Sequence, residues 1–442
     1  MRPTFHLKTL AVAIAAFSAA SIASAAGLDR SGQDVTAFFQ DGTYAEAVYT
    51  YIDADVSGYD SSNNNPFDND YVRGNKTGDI AEDYDFFRYG VKTDVNDTFS
   101  VGLLYDEPFG ASAEYTGDNN FVANTNPADS LGEFANDPAP SGPLGNAIVG
   151  AEAGNAGENT KVEVRSQSLT GLLGMKLGAN KNFQVYGGPV AQRIESNTKL
   201  RGLAYGPATG YTSNSNPDMD YGYIAGISFS KPEIALKAAL TYRSEIDHDI
   251  DINETYPLAP TIGAIGTPPR VLLANQTSRY EITTPKSVNF DFQTGVNPTT
   301  LATAKVRWVP WSDFVITPPL YNEVSKNAAR PDGLNLVDYD DDQWQVELGL
   351  AKRLAQALAV SGTVGWDSGA GDPTTSLGPI EGYYSVGLGA KYNVTPEWAV
   401  SAGGKYLWFG DAQGRLPTGK IVADFEDNDG FIAGVKLSYQ GK

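Results

Sequence analysis

Few residues in this chain have the chemistry for catalysis. There is no cysteine among 442 residues, so thiolates and disulfides are excluded, and there are only two histidines. His6 falls in an apolar leader. His248 lies in Glu245-Ile-Asp-His-Asp-Ile-Asp251, and any Ser-His-Asp arrangement would have to use it. A solvated position in an acidic loop is the plainer reading. One histidine is too few ligands for a zinc site. Asp338-Tyr-Asp340-Asp341-Asp342 offers oxygen ligands to a divalent cation. It matches no twelve-residue calcium loop and also reads more simply as solvated. No enzyme activity, metal or cofactor is expected. The net charge of -21 argues against nucleic acid as a partner, because phosphate binding needs clustered Lys and Arg. In so acidic a chain, individual cations stand out. Arg193, Arg243, Lys305 and Arg307 are the ones to place.

Strands must place them. Apolar alternation of period two recurs along the sequence, as in Phe99-Ser-Val101-Gly-Leu103 and Tyr221-Gly-Tyr223. About fourteen such segments are legible, among them 45–57, 98–107, 183–196, 234–247, 282–293, 300–314, 381–393 and 398–410. Short turns, such as Ala179–Asn182 and Asn393–Glu397, alternate with long acidic loops, such as 108–160, 248–281 and 315–341. That is the plan of a transmembrane antiparallel β-barrel. Trp398 and Trp408 share a parity and lie ten residues apart. With ~3.3 Å per residue and a ~40° tilt, they are separated by about 25 Å along the membrane normal, the height of an apolar band between aromatic girdles. Trp398, Val400 and Trp408 should therefore face lipid, while Ser401 and Lys405 face a lumen. Arg243, Lys305 and Arg307 fall on the lumen parity of their strands. Each is either a ligand contact or half of an ordinary lumen ion pair.

The N-terminus divides in two. Arg2 and Lys8, an apolar run from Leu10 to Ala20, and Ala23-Ser24-Ala25 read as a secretory signal peptide over 1–25, removed before Ala26. The next segment, 26–44, is too polar and glycine-rich for a lipid-facing strand, yet it carries Leu28, Val35, Phe38 and Phe39. Two readings stand: a plug folded into the lumen, or a free tail. Residues 45–442 form the barrel. Loop 108–160 holds Phe109, Phe121, Val122, Leu131, Phe134, Leu144 and Ile148. It either covers the mouth and offers an apolar groove, or packs on itself.

Three stretches carry a resemblance. Val101-Gly-Leu-Leu-Tyr-Asp-Glu-Pro-Phe-Gly-Ala-Ser-Ala-Glu-Tyr115 runs a strand into a Phe-Gly loop. Pro285-Lys-Ser-Val-Asn-Phe-Asp-Phe292 and Val306-Arg-Trp-Val-Pro-Trp-Ser-Asp-Phe314 make a strand pair ending in Trp-Ser-Asp-Phe. With the Ala-Gly start of the mature chain, the sequence resembles the FadL family of outer-membrane long-chain fatty-acid and hydrophobic-compound transporters. The resemblance implies an all-β barrel of fourteen strands with an N-terminal hatch in the lumen. It implies a monomer in the bacterial outer membrane, in contact with the lipid bilayer and lipopolysaccharide. Its function would be passive uptake of long-chain fatty acids or other hydrophobic compounds, with lateral release at the third strand, Thr98 to Glu107. On the same resemblance Ala26, Gly27 and Leu28 line an inner pocket, and Arg193 is a basic ligand contact. The hatch is shorter than the family's and lacks its Asn-Pro-Ala; Asn126-Pro-Ala128 falls in the long loop instead. A short hatch leaves a second reading open, a general diffusion porin for small polar solutes.

Overall fold

The structure is a computed structural model. It describes residues 28–66, 68–124 and 141–441. The signal peptide, Ala26, Gly27, Leu131, Phe134 and the Asn126-Pro-Ala128 tripeptide lie outside the described residues.

Fourteen staves close into an antiparallel barrel. They are β1 Thr43–Asp55, β2 Tyr84–Asp94, β3 Phe99–Asp106 continued by Gly110–Glu114, β4 Lys161–Leu177, β5 Phe183–Lys199, β6 Asp218–Lys231, and β7 Leu236–Arg243 continued by Ile246–Thr255. There follow β8 Asn275–Thr284 continued by Ser287–Asn297, β9 Thr300–Val309, β10 Gln343–Arg353, β11 Leu358–Asp367, β12 Glu381–Asn393, β13 Trp398–Gly410 and β14 Asp429–Gly441. Each pairs with the next, and β14 returns to β1 from Thr43↔Gly441 to Asp55↔Asp429. Closure leaves no free sheet edge, which is what hydrocarbon demands of a spanning backbone.

Odd-even position assigns the faces at membrane level. Trp398 and Trp408 are 44% and 49% exposed and point outward, with Val400. Ser401 and Lys405 are buried inside. Trp398 packs on Tyr439 at one rim, and Tyr406 on Trp408 at the other.

Above that band the polarity of the wall inverts. On β4, Leu169, Leu173 and Met175 face out while Ser166, Ser168 and Thr170 face in. A few rungs higher, Val162 and Val164 are the buried residues, and Lys161, Glu163 and Arg165 lie on the opposite face. The upper barrel stands in water, so its outer face is charged and its inner face is greasy, like a soluble sheet. β7 does the same. Ile246, Ile250 and Ile252 point in, and Asp247, Asp249 and Asp251 point out.

Two expectations fail here. The loop 248–281 is largely strand: β7 and β8 extend as a hairpin, Ile246↔Thr284 to Thr255↔Asn275, with a helix α1 (Ala259–Ile265) at its tip. The acidic residues that look like loop are the wetted face of that hairpin. Loop 108–160 begins later than its composition indicates, because β3 resumes at Gly110–Glu114. It then carries helix α2 (Ser141–Gly154), whose Leu144 and Ile148 join Phe121, Tyr205 and Tyr211 in an apolar cluster at the mouth.

Candidate functional site

The segment from Leu28 to Gly42 runs inside the barrel. Asp34 starts its one helical turn, accepting the Thr36 N–H at 2.7 Å and leading into a 3₁₀ turn at Thr36–Phe39. Phe38 is buried against the wall. Two glycines make its seat: a Cβ at Gly102 would lie 2.7 Å from the Phe38 ring, and one at Gly174 2.9 Å from it. Tyr186 completes the nest, with ring centroids 5.8 Å from Phe38 and 5.2 Å from Phe39.

Ion pairs fasten this segment to the staves. Arg307 Nε donates to Asp29 Oδ2 at 2.6 Å and Nη2 donates to Asp29 Oδ1 at 3.0 Å. The same guanidinium reaches Asn289 Oδ1 at 2.8 Å and the Gly32 carbonyl at 3.2 Å. Asp34 sits between Lys305 (2.9 Å) and Arg88 (3.6 Å). Burial alone would raise the Asp34 carboxyl, but Lys305 and then Arg88 outweigh it and hold it well below the usual carboxylate range. Ser31 Oγ donates to Asp106, and Lys237 donates to the Phe39 carbonyl at 2.6 Å. Bidentate Arg–carboxylate geometry is the strong form of such contacts.

At its start, the segment joins the wall at a break. The β2–β3 ladder runs from Asp94↔Ser100 up to Tyr89↔Tyr105 and stops. It resumes at a single bridge, Ala81↔Ala113. Between them, Glu107-Pro-Phe109 opposes only Ser166 and Gln167 on β4, since Asp106↔Ser168 is followed by Gly110↔Arg165. The extra residue makes a bulge and flips the parity of β3. Pro108 supplies no N–H, which suits a broken rung. The plug takes up the freed groups: Arg30 N–H donates to the Pro108 carbonyl at 2.8 Å, and Gly110 N–H to the Leu28 carbonyl at 2.7 Å. The Arg30 guanidinium lies 3.9 Å over the Tyr84 ring, beside the opening. The ladder of β2 with β1 continues through Tyr84, while its ladder with β3 ends at Tyr89.

Among the described residues, three cavities follow along the axis, and a fourth, charged one lies in the wall at the break, between Arg30, Glu82, Tyr84, Glu107 and Arg165. The upper one, about 550 Å³ including solvent at its mouth, is lined by inward residues of β3, β4, β5 and β8 and by the mouth loops, with Leu28 closing it on the plug side. Val162, Val164, Tyr280, Ile316, Leu336 and Leu377 make its walls. The middle one, about 540 Å³ including solvent, is bordered by Asp34, Lys305, Arg307 and Glu347 together with Phe290, Trp366 and Tyr383. The lower one, about 1120 Å³ including solvent at its mouth, opens among the short turns and includes Phe38 and Phe39.

The candidate residues therefore part company. Leu28 borders the upper chamber. Phe38 and Phe39 border the lower cavity instead. Arg307 faces the lumen but is occupied by Asp29. Arg243 is buried in the lumen, where it donates to the Ser168 hydroxyl, and it does not line the chamber. Arg193 is a correction: it lies on the outer face of β5, 3.5 Å from Glu195, because Gln192 and Ile194 take the inward positions. Phe109 is a second correction. It is not a mouth-loop residue; it is buried in the β3 bulge, edge-on to Trp311 at 5.8 Å. His248 is not in a solvated loop either. It is fully buried on β7, between Asp218 and Gln192 at 3.2 Å each. Asp338 and Asp340 are neutralised by Arg415, and Asp342 accepts from Trp308. The chamber walls were missed, although the pattern Val162-Glu-Val-Arg165 carries the signal: apolar residues alternating with charges, not with Gly or Ser.

A closed fourteen-stave barrel, bulged at its third stave and plugged by its own N-terminal segment, defines the class. It is the fold of the FadL-type outer-membrane channels. The chain superposes on a Pseudomonas aeruginosa FadL homologue with a TM-score of 0.63 at 16% identity, covering 92% of this chain and 94% of that one. It superposes on the Pseudomonas putida toluene transporter TodX with a TM-score of 0.57 at 11% identity, covering 91% and 90%. For the Ralstonia pickettii toluene transporter TbuX the values are 0.51, 10%, 91% and 90%. No protein-family model matches the chain, and no curated protein matches it in sequence.

Proposed function

We propose that this chain is an outer-membrane transporter for the passive uptake of hydrophobic compounds, and that segment 28–42 is its hatch. One observation carries the reading: an apolar chamber stands directly above a plug fastened by buried ion pairs. An apolar molecule gains roughly 0.8 kcal/mol per buried methylene in such a chamber. Straight descent would take it through the ion-paired layer of Asp29, Asp34, Lys305 and Arg307, where it gains nothing and the charges lose their partners. The break between β2 and β3 lies beside Leu28 and Arg30, at the floor of the chamber and the upper edge of the apolar band, where Phe87, Tyr89, Leu103 and Leu169 face outward, and offers a sideways route towards the outer leaflet. Lateral release at the third stave is therefore part of the proposal. So is the absence of an energy-coupling step: binding, hatch rearrangement and consumption inside the cell would drive uptake.

The porin reading is disfavoured by the same plug, which a water-filled pore of this width would not contain. Planar-bilayer recording separates the two. A transporter gives rare, small current steps; large steady conductance would mean an open pore. Uptake of a labelled hydrophobic compound into cells that depend on this chain tests the function itself.

A further inference from the structure

The chamber has an unusual lining for a site that would take a fatty acid. Among the described residues that border it, none is charged. Its polar groups are hydroxyls: Ser196, Thr198, Ser213, Thr375 and the phenols of Tyr280 and Tyr339. Most buried cations nearby are engaged with carboxylates, and two that are not, Arg243 on the Ser168 hydroxyl and Arg30 over the Tyr84 ring, do not border the chamber. Arg307 is spent on Asp29, Arg88 and Lys305 on Asp34, and Lys436 on Glu46. Arg201, above the chamber, is held by Glu158, two backbone carbonyls and Thr212. Arg193, the cation that sequence places at this height, points outward to Glu195.

An ionised carboxylate moved into such a lining would lose its water and find no side-chain cation among the described residues that line it, and an unpaired buried charge is far more costly than an unpaired hydroxyl. A hydrocarbon needs no partner. An alcohol or ketone needs one hydrogen bond, and the ring of hydroxyls supplies it. We infer that the chamber selects uncharged hydrophobic molecules, hydrocarbons and simple alcohols or ketones, and discriminates against ionised fatty acids. The inference rests on the transporter reading and names the substrate class for its chamber.

The test compares two ligands of equal length, dodecanol and dodecanoate. Each displaces a neutral fluorescent probe, N-phenyl-1-naphthylamine, from the full-length protein in lipid nanodiscs at pH 8, with empty nanodiscs subtracted. Dodecanol should displace at a concentration at least tenfold lower. A Thr198→Arg variant, which adds a cation to the lining, should narrow or reverse that ratio while leaving the heat-modifiable barrel intact. Equal displacement, or tighter binding of dodecanoate to the unaltered protein, overturns the inference and leaves the transporter reading standing. Displacement by neither ligand, or no probe binding at all, removes the transporter reading and the inference with it. Should Thr198→Arg fail to assemble, the ratio measured on the unaltered protein decides alone.

Discussion

Arg307 and Asp29 lie 278 residues apart in the chain and meet in a bidentate pair, both buried, where the N-terminal segment crosses the barrel. The pair is the first lock of the proposed hatch. Removing one partner leaves a buried charge uncompensated, which costs about 3–5 kcal/mol in comparable sites. Arg307→Ala should therefore release the plug without opening the wall. Single-channel conductance should rise severalfold, and trypsin should cut after Arg30, which is buried in the intact protein. Unchanged conductance would show that the segment is held by packing alone.

The second lock responds to pH. Asp34 has a native pKa below its unfolded value of about 4, so its contribution to docking is fully present above that value. It is lost as pH falls below about 4 towards the native value. Conductance of the unaltered protein should thus stay low from pH 8 to 5 and rise in more acid solution. In Asp34→Asn it should be raised throughout. A response centred near neutrality would implicate another group.

The lateral route depends on one surplus residue. Deleting Pro108 would make β3 and β4 pair one for one between Asp106↔Ser168 and Gly110↔Arg165. The stave should straighten and the break beside Tyr84–Arg88 should close. Uptake of a labelled hydrophobe should fall at least tenfold, with chamber binding retained. Full uptake in the deletion variant would mean that the ligand leaves along the axis.

Much of the barrel is legible from alternation, because lipid imposes one rule on every outward residue between the girdles. The strands β12 and β13, at 381–393 and 398–410, follow directly from it. The hatch is half legible. Phe38 and Phe39 are out of place in a free tail, but Gly102 and Gly174, which seat Phe38, lie in distant strands and read only as lumen glycines. The chamber is where a single parity rule misleads. Above the membrane the solvent is water on the outside, so the apolar side of the same stave changes face. The resemblance puts Arg193 at the ligand, but on β5 at this height Gln192 and Ile194 face in and Arg193 faces water. Val162 and Val164 opposite Glu163 and Arg165 give the corrected rule in one stretch of sequence.

Overfilling the chamber should block it. Val164→Trp places a large ring into a cavity of about 550 Å³. Overpacking of that kind costs about 1–3 kcal/mol, which a closed barrel tolerates. Binding of the neutral probe should weaken at least tenfold, while heat-modifiable migration of the barrel is kept. An unaffected affinity would move the binding site elsewhere.

His248 is a structural residue on this account, joining β7 to Asp218 on β6 and Gln192 on β5. His248→Ala should lower the thermal midpoint of the upper barrel and leave uptake within twofold. Abolished uptake in a folded variant would give the histidine a direct part in function.

The most direct measurement is a crystal structure of the full chain soaked with a brominated alkylbenzene, with the anomalous signal of bromine located. The signal should lie in the upper chamber, between Leu28, Val164 and Tyr280. A signal confined to the ion-paired layer around Arg307 and Lys305, or none inside the barrel, would contradict it.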